Sequence, residues 1–232
     1  MASYVEGANL IYLASPGTGS TSIERMFTDQ LSAVYIDAPA SHFRFGTRHA
    51  SLKELHAYQS LAAEGDVIRN INFSDVKVVT SVRNPWAYAY ADWYRNRTKW
   101  VGLLRDPDSW VFSQPGRLEQ IIESIELSFC DWVRFKFHHD NGIIFGKRHL
   151  NGAFVEGANF FIRMEHIEED LQGIFDELSL KVRFNELFLN QTGEDKNIKR
   201  PNTEYWRFYN QDARNIISEV YEPTIIKFAY KF

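Results

Sequence analysis

The sequence predicts an α/β fold, a three-layer α/β/α arrangement around a mainly parallel central sheet, and three observations predict it. Short apolar or β-branched runs at 9–14, 76–82 and 160–164 alternate with longer stretches of helical periodicity. The first run ends in a turn of small residues that opens directly into an amphipathic segment. No repeat, low-complexity tract or linker interrupts the 232 residues, so residues 1–232 read as one domain. Strands separated by helices favour parallel pairing with helices on both faces.

Each element has a local reason. Residues 9–14 read as a buried strand, 23–31 as the helix after the small-residue turn, and 33–37 as a short second strand. Ser51, with Glu54 three residues on, makes a capping box for a helix over 52–63. The β-branched run 76–82 is a third strand, and Pro85 then sits in the first turn of another helix, where its missing N–H is harmless. Residues 100–117 mix Gly, Pro, Asp and Ser without periodicity and read as a surface excursion. One long amphipathic helix is expected over 118–137, a fourth strand at 160–164 and an acidic helix at 166–178. Residues 189–203 are polar and loop-like, and 204–228 are largely helical.

Charge and cysteine content narrow the function. With 26 Lys and Arg against 30 Asp and Glu, the net charge of −4 argues against bulk attraction to nucleic acid or anionic membrane. Any anion site must be local. Cys130 is the only cysteine, which excludes an intrachain disulfide, and it lies among apolar positions expected in the core. No basic-then-apolar leader and no run of about 18 apolar residues is present, so the expectation is a cytoplasmic protein without a membrane span. His138-His139-Asp140 has no partner motif and reads as a solvated helix end rather than a metal site.

The turn Pro16-Gly17-Thr18-Gly19-Ser20-Thr21-Ser22 carries the chemistry. The first amides of a helix lack intrahelical acceptors, and the helix dipole favours an anion there. Gly17 and Gly19 allow close backbone approach, and Thr18, Ser20, Thr21 and Ser22 add hydroxyls. A nucleotide-triphosphatase loop needs a lysine after its last glycine, but Ser20 stands there, which disfavours a P-loop kinase or triphosphatase. The strand 76–82 delivers Arg83 to the same sheet edge, so a ligand with two separated anionic groups is expected.

In order along the chain, these stretches resemble 3′-phosphoadenosine 5′-phosphosulfate (PAPS)-dependent sulfotransferases, in the branch of glycan O-sulfotransferases and their bacterial relatives. Residues 16–22 resemble that family's Pro-Lys-Thr-Gly-Ser-Thr-Ser loop, and Val82-Arg83-Asn84-Pro85-Trp86 its second motif. The stretch from Phe161 through Arg163-Met164-Glu165 to Asp170 resembles its strand ending Arg-Tyr-Glu, and the segment from Tyr209 to Phe232 its closing helix and aromatic tail. The resemblance implies a P-loop-like sulfotransferase fold, PAPS as co-substrate with adenosine 3′,5′-bisphosphate as product, and no metal. It also implies an acceptor hydroxyl, with carbohydrates among the candidates.

By that resemblance residues 16–22 hold the 5′-phosphosulfate and Arg83 the 3′-phosphate. Lys199 and Arg200, in a late loop that closes over the nucleotide in relatives, are further phosphate contacts. Arg48-His49-Ala50-Ser51-Leu52 resembles the segment supplying the general base, which makes His49 the first candidate and His42 the second. Two family positions differ: the loop lysine is Gly17, and a serine that assists the arginine is Ala91. Arg44, Arg48, Lys53 and Lys196 are candidate substitutes for the lysine, and Arg95, Arg97 and Lys99 could meet an anionic acceptor. A relative that binds the nucleotide without turnover is the alternative these differences suggest.

Overall fold

Five strands form one sheet in the spatial order β3-β1-β2-β4-β5. They are β1 (Ser3–Val5), β2 (Leu10–Leu13), β3 (Val34–Tyr35), β4 (Lys77–Val82) and β5 (Phe160–Arg163). The computed structural model describes residues 2–36, 49–137, 146–182 and 204–232. Strands β2, β4 and β5 run parallel, as expected, but β1 is antiparallel to both β2 and β3. The sheet is therefore mixed, with β1 alone running against the other four strands. The connection from β1 to β2 is a single 3-10 turn, Glu6–Ala8, ended by Asn9 at φ 45°. So short a link permits only an antiparallel pair.

The helices, in chain order, begin with α1 (Ser20–Leu31), α2 (Leu52–Gln59), α3 (Pro85–Thr98), α4 (Trp110–Ser113) and α5 (Arg117–Glu126). They continue with α6 (Phe129–Phe137), α7 (Gly152–Val155), α8 (Ile167–Glu177), α9 (Gln211–Val220) and α10 (Glu222–Phe228). The chain divides into two compact units, Met1–Arg83 with Asn151–Ile198, and Asn84–Leu150 with Lys199–Phe232.

In the first unit, alternation along β2 distributes its side chains. Leu10 and Tyr12 pack with Ile23 and Phe27 of α1 and Leu171 and Phe175 of α8. Ile11 and Leu13 pack with Leu55 and Tyr58 of α2 and Phe154 of α7. Every β2 residue is fully buried, which is why the strand reads as an unbroken apolar run. The capping box forms as expected: the Glu54 amide donates to Ser51 Oγ at 3.3 Å, and the Ser51 amide to Glu54 Oε2 at 2.8 Å. Helix α2 ends at Gln59, whose side-chain amide donates instead to the carbonyls of Ile68 and Ile71.

In the second unit, Asn84 caps α3 by accepting from the amides of Trp86 and Ala87, with Pro85 at the first helical position. The single helix expected over 118–137 is two, α5 and α6. Ser128 Oγ accepts from the Asp131 amide at 3.3 Å and donates to Asp131 Oδ2 at 2.6 Å, which starts a new helix at the point where Leu127 turns extended. The helical tract over 204–228 is likewise broken, into a 3-10 turn at Tyr205–Phe208, then α9 capped by Asn210, then α10 with Pro223 in its first turn. Trp86, Tyr90, Trp93, Phe129 and Trp132 build the aromatic core with Ile216 and Ile217. Cys130 is half-buried rather than core, and its thiol donates to the Phe208 carbonyl and accepts from the Asn210 amide. No helix among the described residues is long and apolar enough to cross a membrane.

Asp92 ties this unit together. Its carboxylate accepts from Lys136 Nζ at 2.8 Å and lies 3.5 Å from Arg95 Nη2. Burial pushes its carboxyl up, but Lys136, Arg95 and Arg117 outweigh that and hold it below the usual carboxylate range. Replacing Asp92 by Asn leaves the cations short of a counter-charge, and should destabilise the protein by about 3 kcal/mol near neutral pH. A depressed native pKa contributes stability that is complete above the unfolded value of about 4 and is lost as pH falls through the native value. Urea unfolding of wild type and Asp92→Asn should therefore show a gap at pH 7 that narrows at pH 3.

Candidate anion-binding loop

The loop between β2 and α1 has the shape its glycines permit. Gly17 and Gly19 adopt φ of 74° and 69°, in the left-handed region that a side chain at Cβ disfavours. A Cβ at Gly19 would also run into Sδ and Cε of Met164, just beyond the end of β5. Helix α1 begins at Ser20, three residues earlier than its apolar periodicity indicated, with Gly19 as a cap that offers no side-chain acceptor.

Five consecutive carbonyls, Leu13 to Gly17, each accept a hydrogen bond from a side chain. Thr80 Oγ1 donates to Leu13 at 3.0 Å, His49 Nδ1 to Ala14 at 2.7 Å, and Thr18 Oγ1 to Ser15 at 2.8 Å. Asn151 Nδ2 donates to Pro16 at 2.9 Å and also to Ser15 Oγ at 2.8 Å, while Arg83 Nη1 donates to Gly17 at 3.2 Å. Among the described residues the Gly17 amide donates to no protein acceptor, and the Ser22 amide turns back to the Gly19 carbonyl. The peptides are planar and trans, so each held carbonyl directs the next N–H the opposite way, except at Ser15, where the next residue is Pro16 and has none.

One proton order satisfies the hydroxyls beneath the loop. Thr18 gives its only hydroxyl proton to the Ser15 carbonyl, so Ser81 Oγ donates to Thr18 Oγ1 at 2.5 Å, and Tyr12 OH donates to Ser81 Oγ at 3.1 Å. Burial pushes the Tyr12 phenol well above its ordinary range, so it remains a donor. A chain of this kind strengthens each of its bonds and fixes the loop to β4. It also removes the Thr18 hydroxyl from any ligand.

The expected site residues divide accordingly. Gly19 and Thr21 are exposed, Pro16, Gly17 and Ser22 half-buried, and Thr18 and Ser20 buried. His49 and Arg83 meet on the loop itself, at Ala14 and Gly17, although 34 residues separate them in sequence (83 − 49). Arg83 thus touches the loop rather than standing apart from it. Because a carbonyl only accepts, His49 carries its proton on Nδ1, and in the neutral ring Nε2 is the basic nitrogen. Lys53 is exposed on α2. Arg163 donates from Nε and Nη2 to Asp170 at 2.9 and 2.6 Å, as a structural pair that anchors α8 to β5. His42, Arg44, Arg48, His138, His139, Asp140, Lys196, Lys199 and Arg200 lie outside the described residues. Among those described, no group of three or more His, Cys, Asp or Glu could hold a metal ion.

Three residues of the loop's support escaped sequence reasoning. Thr80 and Ser81 look like ordinary members of a β-branched strand, and Asn151-Gly152 signals only a turn. Their contribution depends on contacts 67, 63 and 135 residues away along the chain. No protein-family model, curated protein or solved structure matches the chain.

Gly19→Ala should lose about 1–2 kcal/mol from the left-handed backbone alone, plus the displacement of Met164. Adding Met164→Ala to Gly19→Ala should remove the clash but leave the backbone penalty. Chemical denaturation of the two variants, set against Met164→Ala, checks this directly.

Proposed function

We propose that this protein is a PAPS-dependent sulfotransferase with a three-layer, P-loop-like domain. It moves the sulfuryl group to an acceptor hydroxyl, with carbohydrates among the acceptors. One observation carries the reading: the loop, His49 and Arg83, singled out separately along the chain, converge on the same run of carbonyls. The loop's chemistry suits one anionic end of such a nucleotide. Its amides and the start of α1 supply donors and a positive dipole end, while its acceptors are turned to protein side chains.

PAPS supplies the activated sulfuryl group, and the protein's work is to place it and to move one proton. The acceptor oxygen forms a bond to sulfur as the bond from sulfur to the bridging phosphate oxygen breaks, giving a sulfate ester and adenosine 3′,5′-bisphosphate. His49 Nε2 takes the acceptor proton while the Ala14 carbonyl holds the ring through Nδ1. Arg83 brings positive charge to Gly17, where the resembled family carries lysine. The resemblance also assigns Arg83 the 3′-phosphate.

Binding without turnover is the second reading, and the Gly17 backbone favours it. At φ 74° a lysine there would be strained, so the missing donor is not restored by a simple substitution. Losing one preorganised donor typically costs about 2.7–4 kcal/mol of transition-state stabilisation.

Adenosine 3′,5′-bisphosphate should bind better than AMP or ATP, and Arg83→Ala should remove most of that preference. Equal affinity for AMP and the bisphosphate in wild type would overturn the assignment. His49→Asn keeps an N–H donor for the Ala14 carbonyl while removing the base. Turnover should fall by roughly 10²–10⁴-fold with bisphosphate affinity nearly intact, whereas His49→Ala should weaken both. Radiolabelled sulfuryl transfer across an acceptor panel and calorimetry measure the two quantities separately, and tight binding with no transfer to any acceptor would favour the second reading.

A further inference from the structure

We infer that Asn151 is a positioning residue for anion binding, acting through the peptide between Pro16 and Gly17. The inference rests on the reading of this loop as an anion site. Asn151 Nδ2 bridges the Pro16 carbonyl at 2.9 Å and Ser15 Oγ at 2.8 Å. Ser15 is fully buried and Pro16 half-buried, so the latch works largely out of solvent. Holding the Pro16 carbonyl turns the Gly17 N–H the other way, because the peptide is planar and trans. Gly17 is half-buried, its N–H has no protein acceptor among the described residues, and it stands where the resembled family has its lysine. Asn151 therefore decides whether that peptide offers an anion a donor or an acceptor.

The geometry of Asn151 suits a latch rather than a cap. It precedes α7 with φ 53°, a conformation that Asn and Gly tolerate best, yet its side chain makes no cap bond to that helix. The α7 turn closes through its backbone instead, with the Phe154 amide donating to the Asn151 carbonyl. Asn151→Gly thus keeps the backbone conformation and removes only the latch. Asn151→Asp keeps the shape but sets a carboxylate oxygen against the Pro16 carbonyl.

Calorimetry with inorganic pyrophosphate and with adenosine 3′,5′-bisphosphate tests this, and Gln59→Ala serves as the control. Gln59 also holds loop carbonyls in this unit, those of Ile68 and Ile71, without touching residues 13–19. Asn151→Gly should weaken both ligands about tenfold, as expected for loss of about one hydrogen bond's net contribution, and Asn151→Asp should weaken them further. Gln59→Ala should leave both affinities unchanged. Unchanged affinity in Asn151→Gly, or equal weakening in Gln59→Ala, would overturn the role of Asn151 while leaving the sulfotransferase reading in place. A pyrophosphate site sensitive to Asn151, with no preference for the bisphosphate over AMP, would do the reverse. Wild type that binds neither ligand overturns both.

Discussion

The candidate site depends on keeping the carbonyls from Leu13 to Gly17 bonded to side chains. A small-residue turn can flip its peptides, and each flip exchanges a donor for an acceptor. Thr80, His49, Thr18, Asn151 and Arg83 each remove one carbonyl from that competition. A single neutral hydrogen bond contributes only about 1 kcal/mol net, so no one contact is decisive. Acting on successive peptides, they select one orientation of the chain, and the amides that follow inherit it.

The same bonds bear on how an acidic protein would present the proposed anion site. With a net charge of −4, the chain has no general attraction for phosphate or sulfate. The positive character is local and comes from three sources: the Gly17 amide, the start of α1, and the Arg83 guanidinium. Each loses strength when solvated, so the buried hydroxyl chain from Tyr12 through Ser81 to Thr18 matters. It fastens the loop to β4 from below without adding charge. Arg83 and His49 each steady the loop, and in the proposed function each also presents a group to the ligand, so only substitutions that preserve the first task can test the second.

Much of the framework was legible because it rests on local rules. The capping box at Ser51, Asn84-Pro85 at the start of α3, and the parallel strands β2, β4 and β5 follow from side-chain hydrogen bonds, proline geometry and apolar runs. The misreadings also have local causes. Strand β1 has three residues and no apolar run to announce it, yet it makes the sheet mixed. The break between α5 and α6 was written as Ser128 to Asp131, a helix start embedded in uninterrupted amphipathic periodicity.

The sequence by itself determined that a glycine-rich turn follows a buried strand, that Arg83 ends another strand, and that His49 precedes a helix cap. These depend on propensity and spacing, which act over a few residues. Only the tertiary structure decided that His49 and Arg83 both bond to that turn, that the Thr18 hydroxyl belongs to the interior, and that Asn151 latches Pro16. The reason is physical: a hydrogen bond is set by distance and direction in space. Partners separated by 35 to 135 residues leave no periodicity in the chain, and they become visible only when the folded strands and turns bring their atoms together.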